Sequence, residues 1–311
     1  MDSATTQVIT VPDKSLAEVL QMRDGPINIV FWPDGTELSE DIRQVVTGVV
    51  LPYQHDSHTL HVLNNLPALK WVQTQSTGYD NVLTCLPAGV RLSNAAGVHA
   101  ASTAELAIGL VIASLRNIDI AAKDMLQGIW REQRHKSLQH RKVLVLGAGN
   151  IGDAIASRLM PFDVILSRIS RTPRTDEIGE IMGFEQLTDC LPQAEIVILA
   201  LPLTGETKGL VDHDFLSLLP DDALLVNVGR GGVVVTDDLL NELNTGRLHA
   251  ALDVVDPEPV QPDHSIWKCT NLLITPHLGG NTTAFVPGIR KLLTDQIARL
   301  NNSQLPLNLV N

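Results

Sequence analysis

Residues 143–160, VLVLGAGNIGDAIASRLM, constrain this chain more than any other stretch. Val143 to Leu146 form an apolar run long enough for a buried parallel strand. Gly147, Gly149 and Gly152 follow at the spacing G-x-G-x-x-G, and Ile151, Ala154, Ile155 and Leu159 then recur at helical spacing. Strand, glycine turn and helix stand in the order that a dinucleotide's pyrophosphate requires. The first glycine permits the tight turn, the second removes a side chain where phosphate must approach, and the third lets helix pack on strand. The helix N-terminus then offers free N–H groups and partial positive charge to the phosphates.

The rest of the chain sets the class around that motif. A length of 311 residues suggests about two domains, and 44% hydrophobic with 19% charged residues is ordinary for a globular protein with a sizeable core. The net charge of -12 argues against nucleic acid or an anionic membrane as partner, so any anionic ligand needs local positive charge. The start, MDSATTQVIT, lacks the basic and apolar segments of a signal peptide, and the most apolar run, Leu106 to Leu115, is too short to span a membrane. Cys85, Cys190 and Cys269 are odd in number and far apart, which fits no disulfide framework or zinc site and points to a reducing cytoplasm.

The opening segment reads as a small α/β unit, with strands expected at Ile27–Trp32 and Val45–Leu51, a helix through Leu60, Leu63 and Leu66, and a strand from Leu69 to Val72. That last strand runs into QSTGYDN, residues 75–81, which is either a plain surface turn or a ligand turn at a strand's carboxyl end. His55, His58 and His61 are spaced for a helix, but the third rotates away from the first and no other ligand cluster supports them. A solvated loop and helix start is the expectation there, and no metal site is assigned. Ala104 to Leu115 predicts a long buried helix capped by Ser102 or Thr103. The basic run 131–142, after Trp130, reads as a solvated connection into the glycine strand.

Past the glycine helix, Val164 to Ile169 predicts the next strand. An acid about 20 residues beyond the glycines would bind the adenosine ribose hydroxyls. Ser170 stands there instead, followed by Arg171 and Arg174. A hydroxyl and guanidinium groups accept a 2′-phosphate that a carboxylate would repel, so NADP(H) is expected over NAD(H), the alternative being a solvated arginine pair. Further strands are expected at Ile196–Leu201 and Ala223–Val228, then in HAALDVVDPEP (249–259) and NLLITPHLGGNT (271–282), alternating with helices such as Asp237–Asn244. That alternation predicts an α/β fold with a doubly wound parallel sheet. Pro287 to Leu300 reads as a last amphipathic helix, and the tail LPLNLVN is expected to return to the opening domain. Arg230, Glu258 and His277 each follow one of these strands, which places all three at the same carboxyl edge.

The segments STGYDN, STAELAIGL, GAGNIG, LPLTGETKGL, NVGRGGVV, ALDVVDPEP and TPHLGGNT, in this order, make the chain resemble the D-isomer-specific 2-hydroxyacid dehydrogenases over nearly its whole length. The resemblance implies two Rossmann-like domains with doubly wound parallel sheets, the cofactor domain (95–283) being inserted into a smaller substrate domain (1–94 plus 284–311). It implies Arg230, Glu258 and His277 as catalytic residues and Asp253 as the carboxamide-binding aspartate. Ser76, Thr77 and Gly78 become the carboxylate-binding turn, with Tyr53 as a pocket wall. Further cofactor contacts are implied at Thr103, Asn150, Ile151, Thr172, Leu201, Pro202, Thr207, Val228, Gly229 and Gly279.

The residue types suit reduction of a 2-keto acid. An imidazole, whose unperturbed pKa is about 6.5, can deliver the proton that the carbonyl oxygen takes up. Glu258, if paired with His277, would orient the ring, and Arg230 can clamp the carboxylate and polarise the carbonyl. No Lys or Arg occurs between Arg43 and Lys70, so a phosphorylated substrate, as in an NAD-dependent phosphoglycerate dehydrogenase, fits less well than glyoxylate or hydroxypyruvate. A corepressor-like nucleotide sensor is the rival from another class, against which the three intact catalytic side chains speak. The resemblance further implies a homodimer formed through the helix beginning near Ala104.

Overall fold

A computed structural model describes residues 7–22, 25–33, 36–53 and 57–311. The chain divides into two compact units, Met1–His99 with Thr283–Asn311, and Ala100–Thr282.

The first unit is built on a parallel sheet of β1 (Val8–Val11), β2 (Asn28–Phe31), β3 (Val46–Val50), β4 (Trp71–Gln73) and β5 (Arg91–Ser93), in the order β2-β1-β3-β4-β5. Both faces are covered, as a parallel sheet requires. On one face Ile9, Val11, Val50 and Trp71 pack against the helix Lys14–Gln21 and the chain's last helix, Phe285–Asn301. On the other, Val46, Val49, Val72 and Leu92 meet Leu60, Leu63 and Leu66. The last helix is locked to the sheet by Gln296, fully buried, whose Nε2 donates to Gln73 Oε1 at 2.8 Å. The tail returns to this unit as expected, since Val310 N donates to Leu92 O at 2.9 Å. His55 and the side chain of His58 lie outside the described residues, and no metal-binding group of three side chains occurs among the described ones.

The second unit carries β6 (Lys142–Leu146), β7 (Ile165–Ile169), an antiparallel hairpin of β8 (Arg174–Asp176) and β9 (Gly179–Ile181), then β10 (Ile196–Leu199), β11 (Leu224–Asn227), β12 (His249–Leu252) and β13 (Leu272–Ile274). Its main sheet is parallel, in the order β13-β12-β11-β10-β6-β7. Alternation along the strands splits its core in two. Leu144, Leu146, Val197 and Leu199 face one layer, and Val143, Val145, Ile196 and Ile198 face the other, with Ala104, Ala107 and Val111. Those alanines belong to the helix Ala100–Arg116, which begins a turn earlier than the sequence suggests because Ala100 and Ala101 are good helix formers. Ser102 and Thr103 are therefore buried in its first turn instead of capping it. A second helix, Ile118–Leu126, follows unforeseen, and the basic run after it is a largely exposed connection. Among the described residues no helix is long and apolar enough to cross a membrane.

Candidate active site and cofactor cleft

The order of the second sheet reverses between β6 and β10: the chain steps outward to β7 and then crosses to the other side. Ligands of open α/β sheets bind outside the carboxyl ends of strands at such a switch point. Here an open cavity of about 570 Å³ is lined by the turns after β6 (Gly147 to Gly149), β7 (Ser170 to Thr172, with Arg174) and β10 (Leu201, Pro202, Thr207).

The glycines divide the labour that their spacing implies. Gly147 has φ +103°, and a β-carbon there would meet the Ala200 carbonyl oxygen at 2.6 Å. A β-carbon on Gly152 would lie 1.6 Å from the Gly147 carbonyl oxygen, so helix and strand pack through that position. Gly149, directly before the helix Asn150–Leu159, has no atom within 4 Å of the place its β-carbon would take. Open space in front of a helix N-terminus, flanked by two tight glycines, fits a pyrophosphate. Asn150 and Ile151 form the helix's first turn. On the opposite wall, Thr207 holds its own loop: its hydroxyl donates to Pro202 O at 2.6 Å and accepts from Thr204 N at 2.8 Å.

At the adenosine end Ser170 is buried and its hydroxyl donates to Thr172 O at 2.9 Å. Arg174 leans back over the glycine turn, donating to Ala148 O at 2.6 Å, with Asp153 at 3.6 Å and Ser170 Oγ at 3.5 Å. Arg171 is exposed at the rim. Behind them sits a residue the sequence reading passed over. Arg168, 2% exposed, forks onto Asp176 at 2.8 and 2.5 Å. A buried charge in a strand otherwise read as apolar was the available signal.

The catalytic candidates come from adjacent strands β11, β12 and β13, all parallel, so their following turns share one edge. The His277 Nδ1 lies 2.6 Å from Glu258 Oε1, with both side chains about half exposed. A carboxylate only accepts, so Nδ1 carries the hydrogen and Nε2 is left to face a substrate. His277 sits in the left-handed region at φ 54°, a strained placement for a non-glycine residue. Asp253 over-determines that turn. Buried, it accepts from Thr275 Oγ1 at 2.6 Å, Leu278 N at 2.7 Å and Gly279 N at 2.9 Å, while its carbonyl accepts from His277 N at 2.9 Å. A β-carbon on Gly279 would be 3.0 Å from that carboxylate and 3.2 Å from Thr103, so Thr103, Asp253 and Gly279 form one cluster.

The Arg230 turn is also held from beneath. Asn227, nearly fully buried at the end of β11, donates to Arg230 O at 3.0 Å and accepts from Gly229 N at 3.0 Å. Arg230 Nη1 donates to Gly229 O at 2.7 Å, and a β-carbon on Gly231 would strike Val255 O at 2.1 Å. The turns after β11 and β12 are thus in backbone contact, which brings Val228, Gly229 and Arg230 beside the segment that leads to Glu258.

Ser76, Thr77 and Gly78 belong to the first unit, in the turn after β4. Ala95 N donates to Ser76 O at 2.9 Å and Asn94 Nδ2 to Thr77 O at 2.8 Å. Because a trans peptide points N–H and C=O oppositely, the N–H groups of Thr77 and Gly78 face away from those partners. Tyr53 packs on Phe285, ring centroids 4.7 Å apart, and Phe285 stacks on His99 at 5.4 Å.

Fold, glycine cleft and an imidazole–carboxylate pair at the same sheet edge define a nicotinamide-dependent oxidoreductase, and comparison with known proteins agrees. The D-isomer specific 2-hydroxyacid dehydrogenase NAD-binding domain matches residues 108–279. A glyoxylate reductase of Thermococcus litoralis is 31% identical over 290 residues, 88% of this chain and 86% of that protein. The human glyoxylate reductase/hydroxypyruvate reductase is 33% identical over 224 residues, 69% of this chain and 68% of its own. A D-isomer specific 2-hydroxyacid dehydrogenase of Xanthobacter autotrophicus Py2, solved with NADPH and MES, is 25% identical, covers 99% of this chain and 98% of its own, and superposes with a TM-score of 0.84. The chain belongs to the D-isomer-specific 2-hydroxyacid dehydrogenase family and is an NAD(P)-dependent oxidoreductase.

Proposed function

We propose that the protein is an NADP(H)-preferring reductase of small 2-keto acids of the glyoxylate or hydroxypyruvate type. The observation that carries the reading is the 2.6 Å pair of His277 Nδ1 and Glu258 Oε1, at the edge that also presents Arg230. A nicotinamide bound in the cleft supplies the hydride. Gly147, Gly149, Gly152 and the first turn of the helix Asn150–Leu159 hold its pyrophosphate, and Ser170, Arg171 and Arg174 hold a 2′-phosphate. Thr103, Asp253 and Gly279 meet the carboxamide end.

His277 protonates the substrate's carbonyl oxygen from Nε2, while Glu258 keeps the ring oriented and balances the imidazolium. Arg230 binds the carboxylate and draws charge toward the carbonyl oxygen as it becomes an alkoxide. In the first unit, the resemblance gives Ser76, Thr77 and Gly78 the role of a carboxylate-binding turn and Tyr53 that of a pocket wall. Three free cysteines support a reducing cytoplasmic setting. Trp130, 93% exposed, and Leu126, 83% exposed, follow the helix Ala100–Arg116 and support a homodimer through that region.

The test is oxidation of NADPH and of NADH with a panel of 2-keto acids, phosphorylated and not. Turnover of glyoxylate or hydroxypyruvate with higher kcat/KM for NADPH is the expected result. Cofactor binding without turnover on any acid would show a sensor instead, and equal use of both cofactors would remove the NADP(H) preference.

A further inference from the structure

Arg168 is unlike the residues that line the cleft, because it is charged, almost wholly buried, and absent from the cavity wall. Its guanidinium donates to both carboxylate oxygens of Asp176, at 2.8 and 2.5 Å, and to Gly179 O at 2.9 Å. Asp176 Oδ1 in turn accepts from Ile178 N at 2.9 Å and Gly179 N at 3.2 Å, so this carboxylate ties the hairpin turn itself. The main chain of β7 grips the other end of the hairpin. Met182 N donates to Arg168 O at 2.8 Å, and Ser170 N donates to Met182 O at 3.0 Å. One strand therefore fastens the β8–β9 hairpin at both ends.

Arg174 and Asp176 are two residues apart on β8, so their side chains leave the same face of the ribbon. Pinning Asp176 to Arg168 sets the direction in which Arg174 projects, over the glycine turn to Ala148 O. Asp153, on the glycine helix, stands between the two cations, 3.8 Å from Arg168 and 3.6 Å from Arg174. Arg168 thereby offsets part of a negative charge that would otherwise fall on Arg174 alone.

We propose that Arg168 and Asp176 are positioning residues for cofactor choice, their ion pair holding the hairpin so that Arg174 meets an adenosine 2′-phosphate. This rests on the NADP(H) reading above. Loosening the pair lets Arg174 leave its place over the glycine turn, which weakens phosphate binding without touching the remainder of the adenosine.

The experiment measures binding of 2′,5′-ADP and of 5′-AMP by calorimetry, beside keto-acid reduction kinetics, for the wild type, Asp176→Asn, Arg168→Lys and Arg171→Ala. In Asp176→Asn the affinity for 2′,5′-ADP should fall about tenfold, the scale of one charge-assisted hydrogen bond. Affinity for 5′-AMP should change less than about twofold, and KM for NADPH should rise with kcat unchanged. Arg168→Lys keeps the charge but loses the fork, and should shift selectivity in the same direction if the asparagine variant does not fold. Equal weakening of both nucleotides overturns the proposal in favour of a merely structural pair. Unchanged binding in both pair variants, with Arg171→Ala losing 2′,5′-ADP, overturns it while the cofactor reading stands. A wild type that binds both nucleotides alike removes that reading and the proposal with it.

Discussion

Two alanine substitutions in one glycine motif should have opposite consequences, and the structure sets their sizes. At Gly149 a β-carbon enters open space, and the backbone, at φ −103° and ψ −168°, suits any residue. Gly149→Ala should therefore fold normally, within about 0.5 kcal/mol of the wild type. The methyl group would stand where phosphate must approach the helix N-terminus. Losing one charge-assisted hydrogen bond costs about 1.5–3 kcal/mol, so NADPH binding should weaken by at least about tenfold. At Gly152 the β-carbon falls 1.6 Å from a carbonyl oxygen. An ordinary C···O contact is about 3.3 Å, so helix and strand must part by about 1.7 Å. Overpacking of that kind costs about 1–3 kcal/mol, which outweighs a gain of up to about 1 kcal/mol in helix propensity. Gly152→Ala should then melt several degrees lower, at about 2–4 °C per kcal/mol for a unit of this size. Thermal melts by circular dichroism and NADPH titration by fluorescence read both quantities. Wild-type binding in Gly149→Ala, or a wild-type melting temperature in Gly152→Ala, would refute the division of roles.

The other expectations concern the catalytic edge and the core. His277→Ala should lower kcat by about two to four powers of ten with the circular dichroism spectrum unchanged; near-normal turnover would remove it as the acid. Glu258→Gln keeps the shape but loses the charge-assisted bond to Nδ1, and kcat should fall by about 10- to 100-fold in steady-state assays, less than for loss of the imidazole. Asn227→Ala leaves Gly229 N–H and Arg230 C=O without their side-chain partner, so kcat/KM for the keto acid should drop while KM for NADPH changes little. Leu293→Ala, in the fully buried interior of the first unit, should cost about 2–5 kcal/mol in denaturant titrations without altering cofactor affinity.

The strands that position the site were readable because parallel sheets bury both faces. That requirement writes VLVL, IVIL and LLV as unbroken apolar runs, with most of the chemistry displaced to the turns beyond them. Arg230, Glu258 and His277 each stand just past such a run, which is why a one-dimensional reading could place them on one edge. What it could not supply is what lies under the edge. Asn227 looks like the polar end of a strand, yet its amide secures the Arg230 turn from both sides. Asp253 reads as a ligand contact, and its carboxylate is already met by three donors that shape the His277 turn.

The β8–β9 hairpin shows the limit most sharply. RTDEIGEI has neither a long apolar run nor a strong helical period, so local pattern gives no sign of the hairpin. Its order comes from Arg168, eight residues from Asp176 in sequence, and from main-chain bonds to β7 through Met182. A lone ion pair on a surface would add little to stability. Here the guanidinium is buried, so it must be fully partnered, and the folding of the hairpin around it satisfies that need. The same reasoning explains why Arg171 and Arg174, indistinguishable as letters, differ in place: one is exposed at the rim, the other is drawn inward to a carbonyl of the glycine turn. The place of Arg174 is therefore written partly outside the cleft, in the strand behind it.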